Sequence, residues 1–170
     1  MGGGQEQGRR GGTENVANIV AFGKAAEIAM ASLEDNLDRI RALRDRMEGG
    51  IMDAIDGVTR NGAKEPRLAN TSNLSFANCE AEAILLLLDR EGICASSGSA
   101  CTTGSLAPSH VLTAMGLTPE LAISAVRLSL SKYSTDEEVD HLLAKMPEII
   151  AKLRGNPSPK PKSKPQKVEQ

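Results

Sequence analysis

Leu33, Leu37, Ile40, Leu43, Met47 and Ile51 return at the three-and-four spacing that gathers side chains on one side of a helix. Near the other end Val139, Leu142, Leu143, Met146, Ile149, Ile150 and Leu153 do the same, behind a Thr135-Asp136-Glu137-Glu138 capping box. Between these stripes the period changes to two. Thr71–Phe76 alternates with Leu74 and Phe76 on one side. Ser124–Leu130 sends Val126, Leu128 and Leu130 one way, Arg127 and Ser129 the other. Helical stripes outside and alternating strands inside bury their apolar faces together as a layered structure, with helices on one face of a small sheet. The predicted fold class is α/β, in the form of a small α+β domain.

The remaining punctuation fills in this outline. The helical pattern begins near Glu14 and predicts one long helix, ended or loosened by Gly49-Gly50. Arg39, Arg41, Arg44 and Arg46 stand beside Glu34, Asp35, Asp38, Asp45 and Glu48 and read as a solvated face of i,i+4 pairs. Asn61-Gly62 marks a turn. Glu80–Arg90, apolar nearly all round at Ile84–Leu88, predicts a buried helix stopped by Gly92, followed by a short strand at Ile93-Cys94-Ala95. Pro108–Met115 reads as a short helix, and Thr118-Pro119 opens another short turn. Pro147 falls inside the last helix, where a proline kinks the backbone. Residues 1–12 are too glycine-rich to build a core. Gly155–Gln170, rich in Pro and Lys, reads as a disordered charged tail.

Composition narrows the function. A chain of 170 residues is about one domain. With aromatics at 2% and a net charge of -2, it offers neither a stacking platform nor a phosphate-tracking surface for nucleic acid. No apolar run approaches the roughly 18 residues of a membrane span. Met1-Gly2-Gly3-Gly4-Gln5 does not begin a secretory signal. Three cysteines without such a signal read as reduced thiols, which places the chain in the cytoplasm.

Three places carry candidate chemistry. Ala95–Ser105 is a run of small residues around Cys101. A thiol there, with no bulky neighbour to bury it, is available as a nucleophile on a mobile loop; the alternative is a plain Ser/Gly connector. Cys79 and Cys94 read instead as small buried hydrophobes. The cysteine spacing, with His110 and His141, lacks the pairs of a zinc site. His110 reads as a helix-start residue or a base for a thiol. Arg127 lies on the polar side of an apolar strand, where an arginine either pairs with an internal carboxylate or grips a ligand's carboxylate. Arg9-Arg10-Gly11-Gly12-Thr13-Glu14-Asn15 approaches a helix, with Thr13 as its expected N-cap. That is a capped loop or an anion site.

Taken together, these segments resemble the C-terminal portion of NifS/IscS-type cysteine desulfurases, class V aminotransferase-family enzymes of fold-type I. The resemblance rests on Gly2–Glu6 with Arg9–Val16, Asn70–Phe76, Glu80–Leu88, Ser96–Thr102, Leu106–Leu112 and Val126–Ser131, in order and spacing across residues 2–154. Ala81 stands where relatives often carry Gly, and Ala107 where they often carry an acidic residue.

The resemblance implies a pyridoxal 5'-phosphate enzyme, a homodimer, that converts L-cysteine to L-alanine and an enzyme-bound persulfide. The sulfur passes to an acceptor such as an iron–sulfur scaffold protein. By the same resemblance Cys101 is the nucleophile and persulfide carrier, and transiently an iron–sulfur ligand. Arg127 binds the substrate carboxylate, and Thr13 reaches the cofactor phosphate. It further implies residues 1–15 as a remnant of the large cofactor-binding domain and 16–154 as the long helix and small domain with its cysteine loop at 95–105; the tail, 155–170, has no counterpart in it. The family's cofactor lysine precedes the glycine-rich segment, and Lys24 does not match it. The chain alone is therefore expected to be inactive, and a non-catalytic sulfur carrier or partner-binding module is the rival reading.

Overall fold

The computed structural model describes residues 3–97 and 108–155. The sulfur-loop candidate Cys101, most of its loop and the tail beyond Gly155 lie outside the described residues. The chain divides into two units, the first ending at Asn36 and the second beginning at Leu37.

In the first unit a single 3-10 turn, Glu6–Gly8, precedes helix α1, Val16–Ala31. Its cap is Asn15, not the expected Thr13: the Asn15 side chain accepts a hydrogen bond from the Asn18 N–H at 3.2 Å. Helical geometry starts two residues too late for Thr13 to reach a free N–H. No residue of α1 is buried. Val16, Ile19, Val20, Phe22 and Met30 are all exposed, Phe22 by 78%.

The single long helix expected from Glu14 is two helices. Ser32 leaves helical geometry at φ -117° and ψ 13°. Its hydroxyl donates to the Ile28 carbonyl at 3.1 Å, the local bond by which serine competes with a helix ladder. Helix α2, Leu33–Ala54, follows. It runs straight through Gly49-Gly50, which neither ends nor loosens it. Gly50 has a packing reason instead: a Cβ there would lie 2.7 Å from Leu143 Cδ2. The missing side chain lets the C-terminal helix approach.

The second unit is built on four antiparallel strands: β1 (Val58–Arg60), β2 (Thr71–Phe76), β3 (Ser96–Ser97) and β4 (Ala125–Ser129). They lie side by side in the order β1-β2-β4-β3. The sequence pattern gave no sign of β1, which is only three residues long, too short to show a period. The other edge strand is Ser96–Ser97 rather than the expected Ile93-Cys94-Ala95. Cys94 is accordingly exposed, and Cys79 is half-buried against the core.

Leu74 and Phe76 of β2 and Val126 and Leu128 of β4 point into one core. Above them pack Leu43, Met47 and Ile51 of α2, Ile55 just beyond its end, and Ile84 and Leu88 of α3 (Ala81–Arg90). Val139, Met146 and Ile150 of the last long helix, α6 (Asp136–Leu153), complete it. Among the described residues two short helices lie between α3 and α6: α4 (His110–Ala114) and α5 (Pro119–Ile123). They bring Leu112 and Ala122 against Ala125, covering one end of the sheet's other face. The expected capping box is present. Glu138 N–H donates to Thr135 Oγ1 at 3.3 Å, and Thr135 N–H to Glu138 Oε2 at 3.1 Å. The helix continues through Pro147. Among the described residues no single helix is long and apolar enough to cross a membrane.

Candidate functional site

The two faces of the sheet carry different chemistry. On the core side, Arg44 and Glu48 of α2 are buried, not solvated as their charged neighbourhood suggested. They fall in the same helical stripe as Ile40, Met47 and Ile51, and that spacing was the available signal. Glu48 accepts two hydrogen bonds from Arg67, both at 2.7 Å. It accepts another from Ser72 Oγ at 2.6 Å and one from Arg60 at 3.1 Å. Burial pushes the Glu48 carboxyl up; the bonds from Arg67, Ser72 and Arg60 outweigh it and hold the group at about 2. Arg44 donates to the Leu68 carbonyl at 2.6 Å and to Asp45 at 2.7 Å. This network ties the segment between β1 and β2 onto α2.

On the opposite face stands Arg127, in the centre of β4. Its cross-strand partners are Asn73 of β2 and Ser96 of β3. Directly paired residues share a face, so Thr71, Asn73, Ser75, Ser96, Arg127 and Ser129 form one polar patch. Arg127 is exposed. Among the described residues no carboxylate pairs with it, whereas Arg44, Arg46, Arg60 and Arg67 are all paired. Of the two readings left open for Arg127, the internal ion pair is thus not made within this region.

Asn61, read in the sequence only as a turn residue, belongs to the patch. Its Nδ2 donates to Asn73 Oδ1 at 2.6 Å and to Ser75 Oγ at 2.8 Å. Ser75 Oγ in turn donates to the Leu121 carbonyl at 2.7 Å. No pattern in the sequence marks this group, because its members meet across three elements.

The remaining candidates are dispersed. Thr13 is exposed in the first unit, on the glycine-rich approach to α1. His110 is exposed at the start of α4, whose cap is Ser109. Cys94 lines a cavity of about 530 Å³ with His141, Leu128 and Glu138. The His141 ring is held by the Glu91 carbonyl at 3.0 Å. Among the described residues no cluster of His, Cys, Asp or Glu is arranged to hold a metal ion.

Comparison with known proteins gives this geometry a family. The aminotransferase class-V family matches residues 3–142. Cysteine desulfurase 2 of Trichormus variabilis is 53% identical over 154 residues, covering 91% of this chain and 38% of that protein. Cysteine desulfurase NifS of Azotobacter vinelandii is 50% identical over 158 residues, 93% of this chain and 39% of the relative. A solved structure described as a NifS-like protein superposes with a TM-score of 0.76 at 38% identity, covering 88% of this chain and 38% of that one. The chain therefore spans well under half the length of these relatives. Over the part it spans, the chain belongs to the class-V aminotransferase family.

Proposed function

We propose that this chain is the C-terminal part of a cysteine desulfurase, which removes sulfur from L-cysteine to give L-alanine and a persulfide on Cys101. The observation that carries the reading is Arg127: an exposed guanidinium at the centre of a polar sheet face, with no carboxylate paired to it among the described residues. Guanidinium binds carboxylate through two parallel N–H donors, so Arg127 grips the substrate's α-carboxylate. Ser96 stands beside it on β3. Cys101 follows Ser97 by four residues in sequence, a tether of at most about 14 Å when fully extended. A thiol on that tether reaches the sulfur of a substrate held at Arg127. The Cys101 thiolate forms a bond to that sulfur as the substrate's carbon–sulfur bond breaks; the electron pair stays with the carbon, which takes a proton to become the methyl of alanine. The outer sulfur of the persulfide then passes to an acceptor protein, leaving the Cys101 thiol.

Pyridoxal phosphate, when bound, supplies the electron sink that lets a carbon–sulfur bond of an amino acid break. Thr13 fits its phosphate side. The hydroxyl is exposed, as is the glycine-rich stretch that leads to it. Residues 1–15 then belong with the large cofactor-binding domain, 16–154 form the connecting helix and small domain, and 155–170 the tail. A homodimer, an iron–sulfur scaffold as acceptor and a cytoplasmic setting complete the proposal. Lys24 does not serve as the cofactor lysine: its Nζ is paired with Glu27 at 2.8 Å on exposed α1.

The test uses the 170-residue chain with exposed Cys94 replaced by Ser. With L-cysteine and pyridoxal phosphate alone, it is expected to release no alanine; release would overturn the inactivity of the isolated chain. A full-length relative that has been loaded with sulfur distinguishes the rival. Transfer of persulfide to Cys101, lost in Cys101→Ser, indicates a carrier. Alanine formation on adding a fragment covering the rest of a relative's length indicates a desulfurase part. Loading at Cys79 instead would sink both readings of the loop.

A further inference from the structure

The polar patch contains a hydrogen-bond chain whose direction can be worked out from heavy atoms alone. Ser75 Oγ lies 2.7 Å from the Leu121 carbonyl oxygen. Two oxygens that close need a proton between them, and a carbonyl has none to give, so the Ser75 hydroxyl donates to Leu121. With its only proton used, Ser75 Oγ must accept from the Asn61 atom 2.8 Å away. That atom is therefore Nδ2, not Oδ1. The second N–H of the same nitrogen reaches Asn73 at 2.6 Å, so the Asn73 atom there is the acceptor Oδ1. Among the described residues Asn61 Oδ1 is left buried without a partner. Turning the Asn61 amide over would set two acceptors against each other at Ser75, whichever way the Asn73 amide faced.

The consequence falls on Asn73 Nδ2. Its orientation is fixed by the chain behind it, and among the described residues it donates to nothing. Asn73 is half-buried on β2, directly opposite Arg127 on β4, on the same face. Side chains of such a pair begin about 5 Å apart. One face thus presents a guanidinium and an oriented amide side by side, both donors. We infer that Asn73 is a second carboxylate-binding residue, which shares one substrate oxygen with Arg127 and selects α-amino acids over simple amines. This inference rests on the reading of Arg127 given above. Asn61 is its positioning residue, acting only through Asn73.

The experiment titrates the ¹⁵N-labelled 170-residue chain with L-alanine, which has the carboxylate but no reactive sulfur, and with ethylamine at matched ionic strength. The Arg127 Nε–H and Asn73 Nδ2 resonances are expected to move together with L-alanine and to stay still with ethylamine. Movement of Arg127 without Asn73 overturns this inference and leaves the reading of Arg127 standing. Stillness of both overturns the reading of Arg127, and this inference with it. Asn73→Asp keeps the acceptor for Asn61 but replaces the outward donor with a charged oxygen. It is expected to weaken L-alanine binding at Arg127 at least tenfold, and Asn73→Ala about fivefold. Asn61→Ala is expected to weaken it about threefold. Loss of thermal stability with unchanged binding in Asn73→Ala would make Asn73 merely structural and overturn the assignment. The readout in the unsubstituted chain decides the matter even where a variant does not fold.

Discussion

Glu48 and Arg127 meet opposite faces of the same sheet, and their surroundings could hardly differ more. Glu48 reaches the core side of β2 through Ser72 and is saturated, with Arg67, Arg60 and Ser72 all donating to it. Arg127 stands across from Asn73 on the other side and is exposed, with no carboxylate paired to it among the described residues. A charge taken out of water needs its partners built in, whereas a charge meant for a ligand needs them left out. The first kind of group holds the fold and the second is open to bind.

The comparison breaks most readily at its buried end. Glu48→Ala leaves Arg67 and Arg60 without their shared carboxylate and is expected to cost about 3–5 kcal/mol in urea unfolding. A loss below 1 kcal/mol would show the network to be ornamental. Acid makes the same test without mutation. The folded Glu48 carboxyl titrates at about 2 against an ordinary 4.5. Its contribution is complete above pH 4.5 and is lost as pH falls toward 2. The loss is on the order of 3 kcal/mol and should be absent from Glu48→Gln, as measured by unfolding at stepped pH.

Smaller effects sharpen the contrast. Gly50→Ala gains helix propensity of about 1 kcal/mol but pushes on Leu143, and the net is expected to be a loss of about 1 kcal/mol. Arg127→Ala comes last. It should change unfolding stability by no more than about 0.5 kcal/mol while abolishing the response to L-alanine. A stability loss comparable to that of Glu48→Ala would erase the distinction between the two faces.

The sequence made the core side legible wherever a period was long enough to count. The stripe of α6, the alternation of β2 and β4 and the Thr135 box all stand where the pattern put them. It misled where one residue served a distant partner. Gly49-Gly50 looked like a helix end because nothing nearby announced that Leu143 would press on Gly50. Arg44 and Glu48 looked solvated because charge outweighed their place in the apolar stripe. Thr13 was a sound cap by type, but Asn15 stood closer to the first turn. At the candidate site, Arg127 was visible because it interrupts an apolar strand. Asn61 and Asn73 were not, because their roles arise only when β1 and β2 pair and α5 closes over Ser75.

The order of the sheet has a further consequence. Its two longest strands, β2 and β4, lie inside, and the rim is left to β1 and β3, three and two residues long. A foreign chain seeking to add itself to this sheet finds only a few backbone groups in register on either side. The described strands thus give little footing for the edge-on stacking that turns sheets into fibrils.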